Sequence, residues 1–281
     1  FVTEMLPDIE DRLKTKAVFD NWDKYQLKFK NGYHRQFPRN VLQLNKGVGS
    51  TSKISFSEIS RYSNVSATDW SWGAQMVDFD LDGKNEIFVT NGIPKDLLDQ
   101  DYIDFYNDPK KVREILIREG EVIKRLIDDI PTQPLSNYMF KESGHLKFEN
   151  VAKAWGLDQP SFSSGSAYGD IDNDGDLDLV VNNIDAPPFI YRNKSSENAN
   201  AYLTIDLMNE HKAPAIGAQA SVIVDDKKYF KELYPMRGVM SVVDSRLNFG
   251  LGNADIIDSL IIDWPNGDKT LKTDIETNQF L

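Results

Sequence analysis

Asp170-Ile-Asp-Asn-Asp-Gly-Asp-Leu-Asp178 carries the clearest structural signal in the chain, and Asp78-Phe-Asp-Leu-Asp-Gly-Lys-Asn-Glu86 repeats its pattern. In both segments carboxylates occupy positions 1, 3, 5 and 9, and glycine occupies position 6. Alternate residues of a tightly curled loop point inward, and the glycine permits the sharp turn. The carboxylates would therefore converge, and they would repel one another strongly unless a cation lay between them.

Carboxylates and carbonyls are the hard oxygen ligands that Ca²⁺ prefers, in irregular shells of about six to eight atoms. Position 7, Lys84 or Asp176, would offer its backbone carbonyl. An EF-hand would need Glu at position 12, where Val89 and Val181 stand, and the residues after each loop are typical of a strand rather than a helix. We therefore predict two strand–loop–strand calcium sites. The alternative is an ordinary Asp/Gly hairpin without an ion.

Two longer segments surround these loops and show the same order of short strands. The expected strands cover 40–47, 54–59, 72–78 and 86–90 in the first segment, and 137–144, 146–151, 164–170 and 178–182 in the second. Each segment is predicted to form a four-stranded antiparallel unit, and radially stacked units of this kind are propeller blades. The predicted fold class is mainly β.

Three other regions complete the predicted organisation. Residues 1–39 form an N-terminal extension or the end of an earlier blade, and within them 20–33 is expected to be loop with a short helix. The blades span 40–195 and contain an amphipathic helical insert at 108–131, where apolar residues recur with a period of about 3.6 and prolines mark both ends. This helix would cover a sheet or bind a partner. Residues 200–281 are predicted to form a small β module, with strands at 203–207, 216–224, 229–234, 241–249, 259–264 and 269–271.

Composition excludes several classes of function. Asp and Glu total 44 and Lys and Arg total 32, a net charge of −12 without a basic cluster, which argues against nucleic-acid binding. Cysteine is absent, so disulfides, thiolate metal sites and cysteine nucleophiles are excluded. His34, His145 and His211 lie far apart and are expected to be surface residues. No apolar run is long enough to span a membrane.

The second acidic loop and its strand, 170–183, resemble the calcium loop of FG-GAP/VCBS repeats, the blades of integrin-like β-propellers. The C-terminal part resembles the ASPIC/UnbV domain through Ile216-Gly-Ala218, Arg237-Gly238, Arg246-Leu-Asn-Phe-Gly-Leu-Gly252 and 260–267. The combination is similar to secreted proteins related to cartilage acidic protein, especially long versions from Bacteroidota. By this resemblance the calcium ligands are Asp78, Asp80, Asp82, Lys84 (carbonyl) and Glu86, and Asp170, Asp172, Asp174, Asp176 (carbonyl) and Asp178.

The family implies a propeller that is usually seven-bladed, and a propeller needs at least about four blades. We therefore expect the ring to be completed outside these 281 residues, with residues 1–6 as the end of an earlier blade. Trp70 and Trp72 suit either a sugar-stacking platform or packing between blades. Arg237 and Arg246 suit either an anion site or pairing with carboxylates, and 249–252 is not a nucleotide fingerprint, because no helix follows it.

We expect a calcium-stabilised binding or interaction module, extracellular or at the cell surface in association with an outer membrane. Its partners would be a protein or a glycan, within an outer-membrane uptake or secretion complex, and it would have no nucleic-acid partner and no membrane span of its own. One alternative is a polysaccharide-acting hydrolase or lyase on a propeller scaffold, although the sequence holds no acyl-transfer triad. Another is a purely structural part of a larger surface assembly.

Overall fold

The computed structural model describes residues 1–16, 22–48, 53–119 and 122–281, without the side chains of 115–119 and 122. Strands make up 38% of the chain and helices 14%, which confirms the mainly β prediction. The N-terminal elements are α1 (Glu10–Lys16), α2 (Trp22–Lys30), β1 (Gln43–Val48), β2 (Ile54–Glu58), β3 (Ser71–Val77), β4 (Glu86–Asn91), α3 (Gln100–Tyr106), α4 (Pro109–Glu119), α5 (Val122–Asp128), β5 (Tyr138–Gly144), β6 (Lys147–Asn150), β7 (Ser163–Gly169), β8 (Asp178–Asn183) and β9 (Phe189–Tyr191). The C-terminal strands are β10 (Ala201–Ile205), β11 (Gln219–Val224), β12 (Lys227–Glu232), β13 (Leu247–Gly252), β14 (Ile256–Asp263), β15 (Lys269–Glu276) and β16 (Gln279–Phe280).

The boundaries of the sheets do not coincide with the boundaries of the sequence repeat. Sheet A has the order β3-β4-β5-β6, sheet B has the order β7-β8-β9, and β1 and β2 form a separate hairpin. Sheet A therefore joins the last two strands of one repeat to the first two of the next, so the prediction of one sheet per repeat was wrong. All these pairings are antiparallel. Among the described residues the sheets do not close into a ring.

Strand β4, inside sheet A, is buried on both faces, which explains the uninterrupted apolar run from Ile87 to Val89. Ile87 and Val89 pack with Leu42 and Val65 on the side of the β1–β2 hairpin. Phe88 belongs to the cluster on the opposite face, which side chains of sheet B complete. Adjacent residues of a strand point to opposite faces, so a strand between two apolar layers needs apolar residues at every position.

The N-terminal region repeats the pairing of sheet A. Val2 and Val41 form an antiparallel bridge, in the same way that Val89 pairs with Tyr138 between β4 and β5. Each of these two pairs spans a helical insertion. The insertion that contains α1 and α2 lies between Val2 and Val41, and the insertion that contains α3, α4 and α5 lies between β4 and β5.

A buried asparagine secures each of these crossings. The side-chain oxygen of Asn40 accepts a hydrogen bond from the Glu4 amide at 2.7 Å, and that of Asn137 accepts one from the Asn91 amide at 2.9 Å. Their amide groups donate to Val65 O and to Ser163 Oγ, at 3.1 and 3.0 Å. An asparagine side chain thus accepts a hydrogen bond from a backbone N–H group at the equivalent position of both crossings.

We expect Asn40→Ala and Asn137→Ala each to lower the free energy of unfolding by about 1–3 kcal/mol, because each leaves buried backbone groups without a partner. Chemical denaturation measures this loss. The control is Asn182→Ala at an exposed position, which we expect to change stability by less than about 0.5 kcal/mol. Equal stability of the three variants would contradict a shared structural role.

The helical insert begins before the predicted range of 108–131. The sequence analysis missed α3, in which the Asp99 side chain caps the helix by accepting a hydrogen bond from the Tyr102 amide at 2.7 Å. Helices α4 and α5 lie inside the range, while residues 115–119 and 122, which carry the middle of the apolar pattern, have no described side chains. Ile123 and Ile127 of α5 are exposed. Among the described residues, no helix combines the length and the hydropathy that a membrane span requires.

The C-terminal module (residues 201–281) consists of two sheets that enclose their own apolar core. One sheet has the order β12-β11-β14-β15, and the other has β13-β10-β16, with β16 parallel to β10. Leu203, Val222, Phe249 and Leu260 lie in the core between them. The strand predicted at 241–249 begins only at Leu247, because residues 241–246 leave the sheet to contact the N-terminal region.

Candidate metal centre

Antiparallel pairing brings the ends of each acidic loop together. Acidic loop 1 (residues 78–86) joins β3 to β4, and acidic loop 2 (residues 170–178) joins β7 to β8. Val77 pairs with Glu86 and Gly169 pairs with Asp178, so position 9 starts its strand opposite the residue that precedes position 1. Gly83 and Gly175 at position 6 have φ of +83° and +99°, the left-handed conformation that glycine adopts without strain.

Carboxylates at positions 1, 3 and 9 converge in both loops. In loop 1 each of Asp78, Asp80 and Glu86 contributes an oxygen, and these three atoms lie within 4.8 Å of one another. In loop 2 the same holds for Asp170, Asp172 and Asp178. The position-1 and position-9 side chains are buried in both loops, whereas position 3 is half-buried in loop 1 and exposed in loop 2.

The carboxylates at position 5 lie outside these groups. Asp82 Oδ1 accepts a hydrogen bond from the Lys84 amide at 2.9 Å, and Asp174 Oδ1 accepts one from the Asp176 amide at 3.3 Å. The Asp176 side chain is buried, and its Oδ2 accepts from the Ser196 amide at 2.7 Å. The structure thus gathers three of the four predicted carboxylates of each loop and turns the fourth toward the loop backbone.

Loop 1 is an electrostatically strained site as it stands. Burial raises the pKa of Asp78 to about 6 and that of Glu86 to about 8, and neighbouring aspartates add to both shifts. Backbone amides supply some compensation, because Gly83 N–H donates to Asp78 at 2.9 Å and Phe79 N–H donates to Glu86 at 2.8 Å. Asp78 Oδ1 is fully buried and has no hydrogen-bond partner.

An orphaned carboxylate oxygen among convergent acids fits a bound cation. Buried polar atoms are nearly always satisfied, so the unpartnered Asp78 Oδ1 is available to coordinate an ion. The donors are all oxygens in an irregular arrangement, which suits Ca²⁺ better than transition metals that favour nitrogen or sulfur. The residues present therefore fit a calcium ion in loop 1, and the matching triad of loop 2 fits a second.

A basic side chain faces each acidic loop, and the sequence analysis missed both. The Lys141 ammonium on β5 contacts Asp80 and lies 2.8 Å from Asp82 Oδ2. Burial opposes protonation of Lys141, yet the two aspartates raise its pKa above the ordinary value. Arg192, just after β9, lies 2.8 Å from Asp172 Oδ2 and 3.5 Å from Asp174 Oδ2. Lys141 follows loop 1 only after the α3–α5 insertion, and Arg192 follows loop 2 after strands β8 and β9, so no local spacing signals either contact.

The C-terminal module packs directly on acidic loop 1. Gly252 N–H donates to Leu81 O at 2.9 Å, and a Cβ on Gly250 would lie only 2.1 Å from Asp78 Oδ2. Tyr229 covers Gly83 closely enough that a Cβ there would be 2.8 Å from its ring. Gly250 of β13 thus permits a backbone approach to the loop that a side chain would not allow.

The same module also contacts acidic loop 2. Asn248 Nδ2 donates to Gly175 O at 2.7 Å, and Arg246 donates to Asp170 O at 2.6 Å and to Asn173 Oδ1 at 2.8 Å. Arg246 also pairs with Asp244 at 2.6 Å, so its charge is already matched. One strand, β13, and the residue before it therefore reach both loops.

The remaining sequence candidates have structural roles or are exposed. Trp70 and Trp72 are half-buried, and Trp72 Nε1 donates to Gly92 O at 2.8 Å. Their contacts match the packing alternative rather than an open platform. Arg237 is exposed near Tyr234, with its guanidinium 6.0 Å from the ring centre. All three histidines are exposed.

Fold and site together define a two-part β protein in which a C-terminal module covers paired acidic hairpin loops. A family model described as ASPIC and UnbV matches residues 208–281. The chain therefore carries an ASPIC and UnbV domain, which confirms that part of the resemblance. The matched range includes β11 to β16 and the strand β13 that contacts both loops. A search of curated proteins gives no match to this chain.

Proposed function

We propose that this protein is a calcium-stabilised binding module, in which each acidic loop holds one Ca²⁺ ion and sheets A and B are blades of the FG-GAP/VCBS type. The observation that carries the proposal is the duplicated triad at positions 1, 3 and 9, with its buried carboxylates and the orphaned Asp78 Oδ1. The residues named as ligands would also include Asp82 and Asp174, after small rotations toward the ion.

The proposed ions would have a structural rather than a catalytic role. Asp78 and Asp170 are each 3% exposed, and the C-terminal module lies against both loops. A bound ion would neutralise buried charge and lock the loop shape that β13 contacts. Binding to the folded state alone stabilises it by about 2.7 kcal/mol per site at a hundredfold excess over Kd.

The proposal includes a location at the cell surface or outside the cell and a protein or glycan partner. Extracellular calcium modules have Kd values of about 10⁻⁴–10⁻³ M, so sites of modest affinity would be filled there. A cavity of about 600 Å³ between sheets A and B supports a binding role. Trp155, Tyr191, Arg192 and Asn198 line it, a mixture of aromatic and polar groups that suits a sugar or a peptide side chain.

The polysaccharide-acting enzyme has weaker support. Glycosidases generally use a pair of carboxylates that flank the scissile bond. Among the described residues that line the 600 Å³ cavity, Asp80 alone carries a carboxylate, and Lys141 already contacts it. The cavity therefore fits recognition better than hydrolysis.

Titration calorimetry with Ca²⁺ and thermal unfolding with and without EDTA test the proposal. We expect two bound ions and a melting temperature that falls by about 5–10 °C on chelation, from the loss of about 2.7 kcal/mol per site. Asp78→Asn and Asp170→Asn should each remove one ion. The matched control is Asp258→Asn at an exposed position of β14, which should retain both.

The proposal would be overturned if the wild-type protein bound no calcium at about 10⁻² M, ten times the weakest expected Kd, and if its melting temperature were unchanged in EDTA. Binding to a glycan array and to surface-protein extracts, each measured in calcium and in EDTA, tests the partner. Binding that depends on Trp155 supports the cavity as the recognition site.

A further inference from the structure

Lys141 and Arg192 occupy the same position in successive sheets. Ile87 of β4 pairs with Phe140 of β5, and Leu179 of β8 pairs with Tyr191 of β9. Ile87 and Leu179 each follow position 9 of their acidic loop, so Phe140 corresponds to Tyr191. The next residues, Lys141 and Arg192, are therefore equivalent, although the two strands lie in different sheets.

Both basic side chains contact the same two loop positions. Lys141 reaches positions 3 and 5 of loop 1, and Arg192 reaches positions 3 and 5 of loop 2. Both ion pairs are with these outer carboxylates, although the charge of Lys141 also acts on Glu86 at position 9. A cation at the same place in two different loops, with different side-chain chemistry, indicates a repeated electrostatic role rather than an isolated surface ion pair.

We propose that Lys141 and Arg192 are built-in counter-cations that compete with calcium for the carboxylates at positions 3 and 5 and thereby lower the calcium affinity of each loop. This inference rests on the proposed function. In the ion-free protein each side chain neutralises part of the acidic cluster and holds the outer half of the loop. When calcium binds, the side chain releases the two carboxylates to the ion.

Charge and geometry give the direction of the effect. Calcium must displace a favourable contact and then lie near a remaining positive charge, and both costs reduce binding. A unit charge about 6 Å from a divalent ion, in a medium close to water, changes affinity by about tenfold. The effect should be larger at loop 1, because the side chain of Lys141 is 30% exposed while that of Arg192 is 60% exposed and better screened.

The competition also predicts how the protein behaves without calcium. The two basic side chains reduce carboxylate repulsion, so the ion-free loops keep their shape and the sites can empty without unfolding the module. Affinity is set low while the folded state is retained, which suits sites that respond to a change in calcium rather than hold it permanently.

Titration calorimetry of the full chain tests this with CaCl₂ as the probe. We expect Lys141→Met to raise affinity about tenfold at one of the two sites, and Arg192→Met to raise affinity by a smaller factor at the other. The control Lys272→Met removes the same charge from an exposed position on β15 and should leave both affinities unchanged. A second readout is thermal unfolding in EDTA, in which Lys141→Met should melt below the control.

The outcomes separate this inference from the proposed function. If the wild-type protein binds calcium and both Lys141→Met and Arg192→Met bind it with the same or lower affinity, the counter-cation role is overturned and the proposed calcium sites are supported. Calcium binding that appears in the two variants but not in the wild type would support the counter-cation role and overturn the proposed function in its present form. Absence of binding in all of these proteins would overturn both. If Lys141→Met fails to fold, Lys141→Gln and Arg192→Met carry the test.

Discussion

Arg12→Ala is expected to lower the free energy of unfolding by about 3–5 kcal/mol, because it leaves the buried Asp69 without its cation and removes one of the two cations beside the buried Asp96. Arg12 is 5% exposed, and its guanidinium contacts Asp69, with a second contact to Asp69 Oδ1 at 2.9 Å. It also lies 3.1 Å from Asp96 Oδ2 and donates to Gln133 Oε1 at 2.6 Å. Urea denaturation monitored by tryptophan fluorescence measures the loss.

This contact network ties one helical insertion to the other. Arg12 lies on α1, while Asp96 and Gln133 lie on either side of the α3–α5 insertion, and Lys16 of α1 lies 3.5 Å from Asp96 as well. The control is Lys14→Ala, whose side chain is 68% exposed and pairs with Glu10 on the same helix. An exposed pair contributes about 0–1 kcal/mol. A loss for Arg12→Ala that is no larger than that of Lys14→Ala would contradict the assignment of a buried, charge-matched network.

Gly250→Ala is expected to lower the free energy of unfolding by about 3 kcal/mol and to abolish calcium binding at acidic loop 1. The added Cβ would lie 2.1 Å from Asp78 Oδ2 and 2.5 Å from Leu81 Cα, and a backbone atom cannot yield as the end of a flexible side chain can. Either β13 or the loop must move. Acidic loop 2 should keep its ion, because its contacts with the module come from Asn248 and Arg246.

Gly267→Ala is the control for Gly250→Ala, because it introduces backbone strain without steric crowding of the added Cβ. Gly267 has a φ of +94° and no atom within 4 Å of an added Cβ, so alanine there meets only the left-handed penalty of about 1–2 kcal/mol. Calorimetry should find one bound ion in Gly250→Ala and two in Gly267→Ala. Two ions of wild-type affinity in Gly250→Ala would show that the module does not depend on close contact with the loop.

These contacts give the ASPIC and UnbV domain a specific place in the molecule. In the sequence, the segment Arg246-Leu-Asn-Phe-Gly-Leu-Gly252 is one of the motifs that resemble that domain, and nothing in it indicates a contact with the acidic loops. In the structure its small residues and polar side chains meet the two acidic loops. The proposed ions would therefore influence the C-terminal module as well as the sheets, since they lie where the two parts touch.

Local pattern was sufficient for much of the fold. The eight strands of the sequence repeat lie close to the predicted ranges, because a strand that packs on an apolar layer carries apolar residues of its own. The pairing of β4 with β5 could not be predicted from the sequence. All of these strands have similar patterns, so the pattern does not select a partner, and 46 residues separate β4 from β5 along the chain. The convergence of positions 1 and 9 follows from the loop spacing, whereas the turn of Asp82 and Asp174 toward the backbone does not.

The mainly β character, the two acidic loops and the C-terminal module could all be predicted from the sequence, because each depends on residues that are near one another along the chain. The composition of sheet A, the approach of Lys141 and Arg192 to the loops, and the close approach of Gly250 to Asp78 became visible only in the folded chain. These contacts join segments separated by tens to more than a hundred residues. Their partners are selected by shape and charge in the folded molecule, and no local spacing of residues records that selection.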